Sequence, residues 1–183
     1  MERPAVFRTT FVGGHGGLWQ IERVAKVVGE PLPAAARLDV RPTIDGLVAG
    51  VWALRGVTGA ERYVFRSEKN ALDTASPPLG RPEATQAALI PIRKSASWWS
   101  LAQDERRAIF EEKSHHISVS LKYLPRIARR LYHCRELGEP FDFLTWFEFA
   151  PEYASAFDEL LVALRGTEEW SFVEREVEIR LSR

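Results

Sequence analysis

The 183-residue sequence has one cysteine, Cys134. An internal disulfide framework is therefore excluded, and the composition fits a reducing compartment. There is no excess of either charge: 25 basic residues balance 25 acidic ones. That balance argues against bulk electrostatic attraction to nucleic acid or to an anionic membrane surface. No apolar run approaches the roughly 20 residues that a membrane-spanning helix needs. The first residues lack the basic stretch and apolar core of a secretory signal, so the expected location is the cytoplasm. The common metal spacings HxxxH, CxxC and HExxH are also missing. What is present is an ordinary globular composition, 45% hydrophobic and 27% charged, with enough length for one domain or two small ones. The aromatic residues are uneven: four of the six Trp and seven of the ten Phe follow residue 90. The second half should hold the denser core.

Residues 1–80 read as short extended pieces between turns. Ala5–Val12 is strand-like and enters the turn Gly13-Gly14-His15-Gly16-Gly17. Leu18–Val28 fits either a helix or a strand, while Leu38–Val40 and Leu47–Leu54 look extended. A short helix is expected within Arg62–Leu72, starting at Ser67, and Ser76-Pro77-Pro78-Leu79-Gly80 must be a loop. Residues 81–183 are clearer. Ala87–Lys94 is an apolar extended run, Asp104–Ser114 is helical, and a second helical piece reaches Leu121 before Pro125. Ile127–Cys134 alternates as a strand, and Phe141–Phe149 is a strand bulky on both faces. Pro151 opens a helix with Tyr153, Phe157, Leu160, Leu161 and Leu164 on its apolar face. Phe172–Leu181 is an amphipathic strand with one irregular step. The order strand, helix, strand, strand, helix, strand is ferredoxin-like. Its helices cover one face of the sheet, and the first half of the chain should cover the other. Two sheets face to face make an α+β barrel-like core with space between them.

Few side chains stand out singly. His115 and His116 are adjacent, so their rings point apart and both cannot easily bind one ion. One of them would suffice as the sole protein ligand of a haem iron. Arg126, Arg129, Arg130 and Arg135 form a basic run. Arg129 shares a strand face with Ile127 and Leu131, where a guanidinium is costly unless it meets an anion. RNA-recognition modules share this topology, but Phe141–Phe149 lacks the glycine and the basic residue of their strand motif.

Taken together, the runs from Ala88 to Trp99 and from Asp104 to His116, Leu121 to Pro125 with Arg129, Gly138 to Trp146, and Thr167 to Trp170 resemble the chlorite dismutase family, most closely its short, dimeric branch. The likeness covers about residues 45–183. It implies a dimeric α+β barrel built from a ferredoxin-like repeat, with a shortened N-terminal half (1–80) and a haem-binding C-terminal half (81–183). It implies haem b held between the two sheets, and chlorite decomposed to chloride and dioxygen in a homodimer. By position, His116 matches the axial iron ligand and Glu169 the carboxylate that accepts a hydrogen bond from it. Arg129 matches the distal arginine, which related coprohaem-decarboxylating enzymes lack. Lys94 and Trp98 fall where the family lines the haem and its propionates, and Leu124 at the pocket mouth. Ser76 departs from the glutamine that some short members place over the distal pocket. The alternative is a haem- or small-ligand-binding module of the same superfamily without chlorite turnover.

Overall fold

A computed structural model describes residues 7–43, 48–59 and 62–183 of the chain. Eight strands form one closed antiparallel barrel: β1 (Arg8–Gly14), β2 (Trp19–Val28), β3 (Arg37–Pro42), β4 (Trp52–Val57), β5 (Gln86–Lys94), β6 (Ile127–His133), β7 (Phe143–Phe149) and β8 (Val173–Ser182). Around the barrel they run β1-β3-β2-β8-β5-β7-β6-β4. The C-terminal four therefore lie in the order β8-β5-β7-β6, with helices in both crossovers, as the ferredoxin-like pattern requires. The N-terminal four repeat that order as β4-β1-β3-β2.

β1 and β2 run parallel, a connection that normally needs a long crossover. Here four residues suffice, because β2 starts where β1 stops. Gly14 and Gln20 both lie opposite Arg37, and β2 pairs with β3 only through Trp19 and Gln20 before running on along β8. The ambiguous segment from Leu18 is thus a strand. The expected glycine turn is shorter than its sequence suggested. Gly13 and Gly14 belong to β1, where the Trp52 ring occupies the place of a Cβ on Gly13. Of the expected extended runs, Ala5, Val6 and Leu47 lie outside the described residues.

The barrel interior is packed solid. Phe11, Trp19, Leu38, Leu54, Leu89, Leu144, Trp146 and Ile179 fill it, all at most 4% exposed. Each such side chain contributes about 1.5–3 kcal/mol on burial. The expected space between two sheets is therefore absent. The alternation of β7 explains its bulk on both faces. Leu144 and Trp146 point into the barrel, while Phe147 and Phe149 pack outward on Phe157, Leu160 and Leu161. Those three belong to a long helix on the outer face. The loop at Pro77–Gly80 closes one barrel end: Leu79 packs on the core and the Gly80 N–H donates to buried Glu148 at 2.6 Å.

Among the described residues five α-helices lie outside the barrel: α1 (Arg66–Ala75), α2 (Ala96–Ser100), α3 (Gln103–Arg107), α4 (His116–Leu121) and α5 (Ala154–Arg165). The single helix expected over Asp104–Ser114 is instead α3 running into a π-helical turn, Ala108–Lys113. α1 begins one residue before the expected start, because the Glu68 carboxylate accepts from the Phe65 N–H at 2.7 Å and caps the turn.

Two measurements test this account. Gly17 has φ +115°, and a Cβ there would lie 2.4 Å from the Leu38 backbone, whereas one on Gly16 would meet nothing within 4 Å. Gly17→Ala should cost at least about 2 kcal/mol in denaturant unfolding, and Gly16→Ala less than about 0.5 kcal/mol. Helix α1 buries no residue. It is tied to α3 by the bidentate Arg107–Glu68 pair at 2.8 and 2.5 Å, with the Arg107 guanidinium 4.1 Å from the Phe65 ring centroid. The Arg107 hydrogen bonds hold the Glu68 carboxyl below its usual 4.5. Its contribution is thus complete above pH 4.5 and disappears as pH falls through the lowered value. Hydrogen exchange at amides 66–75, corrected for intrinsic rate, should accelerate below that pH. In Glu68→Gln the fast exchange should already be present at pH 7, with the barrel amides unchanged.

Candidate functional site

The outward face of β5–β8 is covered by helices, and between the two lies a cavity of about 460 Å³. Its walls come from alternate residues of the strands. β5 supplies Ile90, Ile92 and Lys94, β6 supplies Ile127, Arg129, Leu131 and His133 with Arg130 out of step, and β7 supplies Phe143, Thr145 and Phe147. The spacing of two that groups Arg129 with Ile127 and Leu131 also groups Lys94 with Ile90 and Ile92. α4 adds His116, Ile117 and Ser120, α1 adds Lys69, Leu72 and Asp73, and α5 adds Leu160, Leu161 and Arg165. The cavity is thus on the helix side of the sheet. The expected place between two sheets is occupied by the barrel core described above.

All of the sequence-predicted site residues, Lys94, Trp98, His116, Leu124, Arg129 and Glu169, line this one cavity. Ser76, at the C-terminal end of α1, lines it as well. The two adjacent histidines are separated by backbone geometry. The π-helical turn changes the helical phase after Arg107, and His115 takes a left-handed conformation at φ 52°. Helix α4 then restarts at His116. His115 is exposed, whereas the half-buried His116 ring stacks on Phe110 at a centroid distance of 4.5 Å.

His116 Nδ1 lies 2.7 Å from Glu169 Oε2. A carboxylate can only accept, so Nδ1 carries the proton, and in the neutral ring Nε2 is then the nitrogen with the lone pair. Glu169 is 8% exposed. Burial alone would raise its pKa, but His116 and Lys94, by charge and by hydrogen bonds, hold it down at about 2. Lys94 donates to Glu169 Oε1 at 2.8 Å and to its carbonyl oxygen at 3.2 Å. Lys94 lines the cavity as expected from its position, and its ammonium, bonded to Glu169, lies 4.6 Å from the Trp98 ring centroid.

Several supports were not found by sequence reasoning. Ser114 Oγ accepts from the Glu169 N–H at 2.9 Å, and Ser114 is itself buried. Asp142 accepts from the Lys94 N–H at 2.7 Å and from the Trp99 indole at 3.1 Å. On β8, Glu176 and Glu178 are buried beneath α5 and paired with Arg165. The charges alternating along Glu174–Arg180 carried the only available signal, and by pattern alone they resemble a solvated face. Among the described residues no group of three potential metal-binding side chains occurs. No helix among them is long and apolar enough to cross a membrane.

The cavity geometry can be set beside known proteins. A family model described as chlorite dismutase matches residues 33–183. The chlorite dismutase of Ideonella dechloratans is 30% identical over 135 residues, 69% of this chain but only 44% of that longer protein. The crystal structure of dimeric chlorite dismutases from Nitrobacter winogradskyi is 62% identical, with a TM-score of 0.91 over 96% of this chain and 99% of the other. The chlorite dismutase of Candidatus Nitrospira defluvii in complex with imidazole is 28% identical, with a TM-score of 0.58 over 80% of this chain and 57% of the other. With the family model covering most of the sequence and the barrel superposing nearly end to end, this chain belongs to the chlorite dismutase family.

Proposed function

We propose that this chain is a haem b enzyme that decomposes chlorite to chloride and dioxygen. The observation that carries the reading is the pairing of His116 with buried Glu169 at 2.7 Å, in a cavity that also contains Arg129. The residues present fit a haem. The cavity has the size and apolar lining of a small-molecule site. One imidazole has its Nδ1 occupied and its Nε2 left for an axial bond. Trp98 lines the cavity, is 1% exposed, and its Nε1 is buried with no hydrogen-bond partner among the described residues. A propionate oxygen would satisfy that donor. Bound in this cavity, haem would supply the redox-active iron at which a Cl–O bond is broken and the O–O bond is made.

The chain's own residues divide the remaining work. His116 would hold the iron, and Glu169 fixes the tautomer of its ring and raises its basicity. Lys94 keeps Glu169 ionised and oriented. Arg129 is charged at any working pH and offers several donors, so it would draw in chlorite and hold the chlorine-containing anion in place while the reaction is completed. Ile127 and Leu131 flank it on β6, and Leu124 is 5% exposed at the cavity wall. Apolar neighbours exclude water and so strengthen the attraction between guanidinium and anion. The proposal includes a homodimer, with 1–80 and 81–183 as the two halves of each subunit. It places the protein in the cytoplasm, where a lone buried thiol such as Cys134 stays reduced.

Absorption spectra and oxygen release test these roles. His116→Ala should lose haem or retain it weakly, while His115→Ala keeps a near-normal Soret band. The opposite pattern overturns the assignment of the ligand. Arg129→Ala should keep its haem and lose roughly 100-fold in kcat/KM for chlorite. It should also bleach after fewer turnovers, and added methionine, which traps hypochlorite, should extend its working life. Arg129→Lys should recover part of the loss, since an ammonium lacks the planar fork. Oxygen release by Arg129→Ala at the parent rate and endurance would remove this residue from the mechanism. Haem binding by the parent without oxygen release would favour a binding module over an enzyme.

A further inference from the structure

The turn that carries Glu169 is anchored at a second point. Residues Glu169–Phe172 form a 3-10 turn leading into β8. Trp170, next to Glu169, donates its indole N–H to Glu176 Oε2 at 2.7 Å. Glu176 is 2% exposed on the outward face of β8. Its other oxygen accepts from Arg165 Nε and Nη2 at 3.0 and 2.6 Å. Arg165, the last residue of α5, also reaches Glu178 at 2.8 Å. Glu178 is held in addition by Arg180 at 2.8 Å and Arg23 at 2.6 Å. Both carboxylates are buried charges, tolerated because each is met by a guanidinium. Only Glu176 touches the turn that carries Glu169.

We infer that Glu176 is a positioning residue: through Trp170 it sets how the Glu169 turn sits, and so the strength of the Glu169–His116 hydrogen bond. Ser114 and Lys94 hold Glu169 through its N–H, carbonyl oxygen and carboxylate. The backbone beyond it is held by the Trp170 N–H on the Thr167 carbonyl at 3.2 Å and by the Ser95 N–H on the Phe172 carbonyl at 2.8 Å, and the Trp170 indole adds a side-chain tie to the outward face of β8. Fixed to a strand through Glu176, the indole ties the turn to the barrel rather than to the neighbouring helices. The inference rests on the proposed roles of His116 and Glu169.

The test uses the haem-loaded protein and reads the iron reduction potential and the Fe–His stretch in resonance Raman spectra. Four variants are compared: Glu169→Gln, Trp170→Phe, Glu176→Gln and Glu178→Gln. Glu169→Gln should raise the potential and lower the stretch. Trp170→Phe and Glu176→Gln should shift both in the same direction but by less, and should shorten haem retention by roughly 3- to 10-fold, below the usual range for a direct partner of the ligand. Glu178→Gln removes a buried carboxylate from the same ion-pair ladder. It should lower Tm and leave potential and stretch at parent values, so a loss of stability alone cannot imitate the result. In the double variant Glu169→Gln with Trp170→Phe, the second change should add nothing to the first. If Glu169→Gln itself leaves the potential unmoved, the reading of the His116–Glu169 pair fails. If Glu169→Gln moves it while Trp170→Phe and Glu176→Gln do not, or Glu178→Gln moves it equally, the positioning role of Glu176 is overturned and the His116 reading stands.

Discussion

Strands β5–β8 are buried on both faces, and most of the structure follows from that. A sheet with one wet face needs one covering layer. This one has bulky apolar side chains on each side, Leu144 and Trp146 on one and Phe147 and Phe149 on the other. The first four strands cover the inner face by closing the barrel, leaving no open edge. Helices must then cover the outer face. α5 does so tightly over Phe147 and Phe149, and α1 and α4 cover the rest. α1 contributes no buried side chain of its own. The cavity lies where this outer cover is thinnest in apolar side chains and depends on ion pairs.

Within that cavity the dominant electrostatic fact is a buried carboxylate. Glu169 is ionised at 8% exposure, which is tolerable only with close positive partners and donated hydrogen bonds. Lys94, also buried, supplies a full opposite charge. Glu169 accepts the His116 Nδ1–H on its other oxygen. The arrangement fixes the ring through Nδ1 and leaves Nε2 facing away from Glu169. The aromatic neighbours serve the same end. Phe110 stacks on His116 and the Trp98 face lies against Lys94, so both cationic or polarisable groups have π partners in place of water.

The strand periodicity of the second half was legible because each strand alternates cleanly. The runs ending at Lys94 and containing Arg129 already place those two residues on cavity faces. Period two says which residues share a face. It does not say which face turns inward, and so the cavity was expected between sheets when it lies outside the barrel. The parallel β1–β2 connection was obscure for a related reason. Gly13 and Gly14 look like a turn until the Trp52 ring over Gly13 shows why a strand needs glycine there. The likeness to the family singled out His116 and Glu169, which the structure brings within 2.7 Å, but no local pattern revealed that Lys94 bonds Glu169. That contact joins residues 75 positions apart in sequence.

The same limit hid the ladder on β8, and it shows how burial can invert the meaning of a charge pattern. Glu176, Glu178 and Arg180 alternate with Val177, Ile179 and Leu181. On an exposed strand such charges would be solvated and energetically minor. Here α5 lies across them, and its last residue, Arg165, reaches down to both carboxylates. Removing the arginine would leave two buried anions short of a partner, so the contacts bind helix to strand more firmly than their surface equivalents could. The helix end, the strand and the intervening turn are thus joined by side-chain contacts as well as by the chain itself. Glu169 lies in that turn, three residues beyond the helix C-cap Gly166, whose N–H donates to the Val162 carbonyl oxygen at 3.1 Å. An α5 held this way fixes the carboxylate from the outer layer while β5 fixes it from the barrel through Lys94, and the imidazole between them inherits its orientation from both.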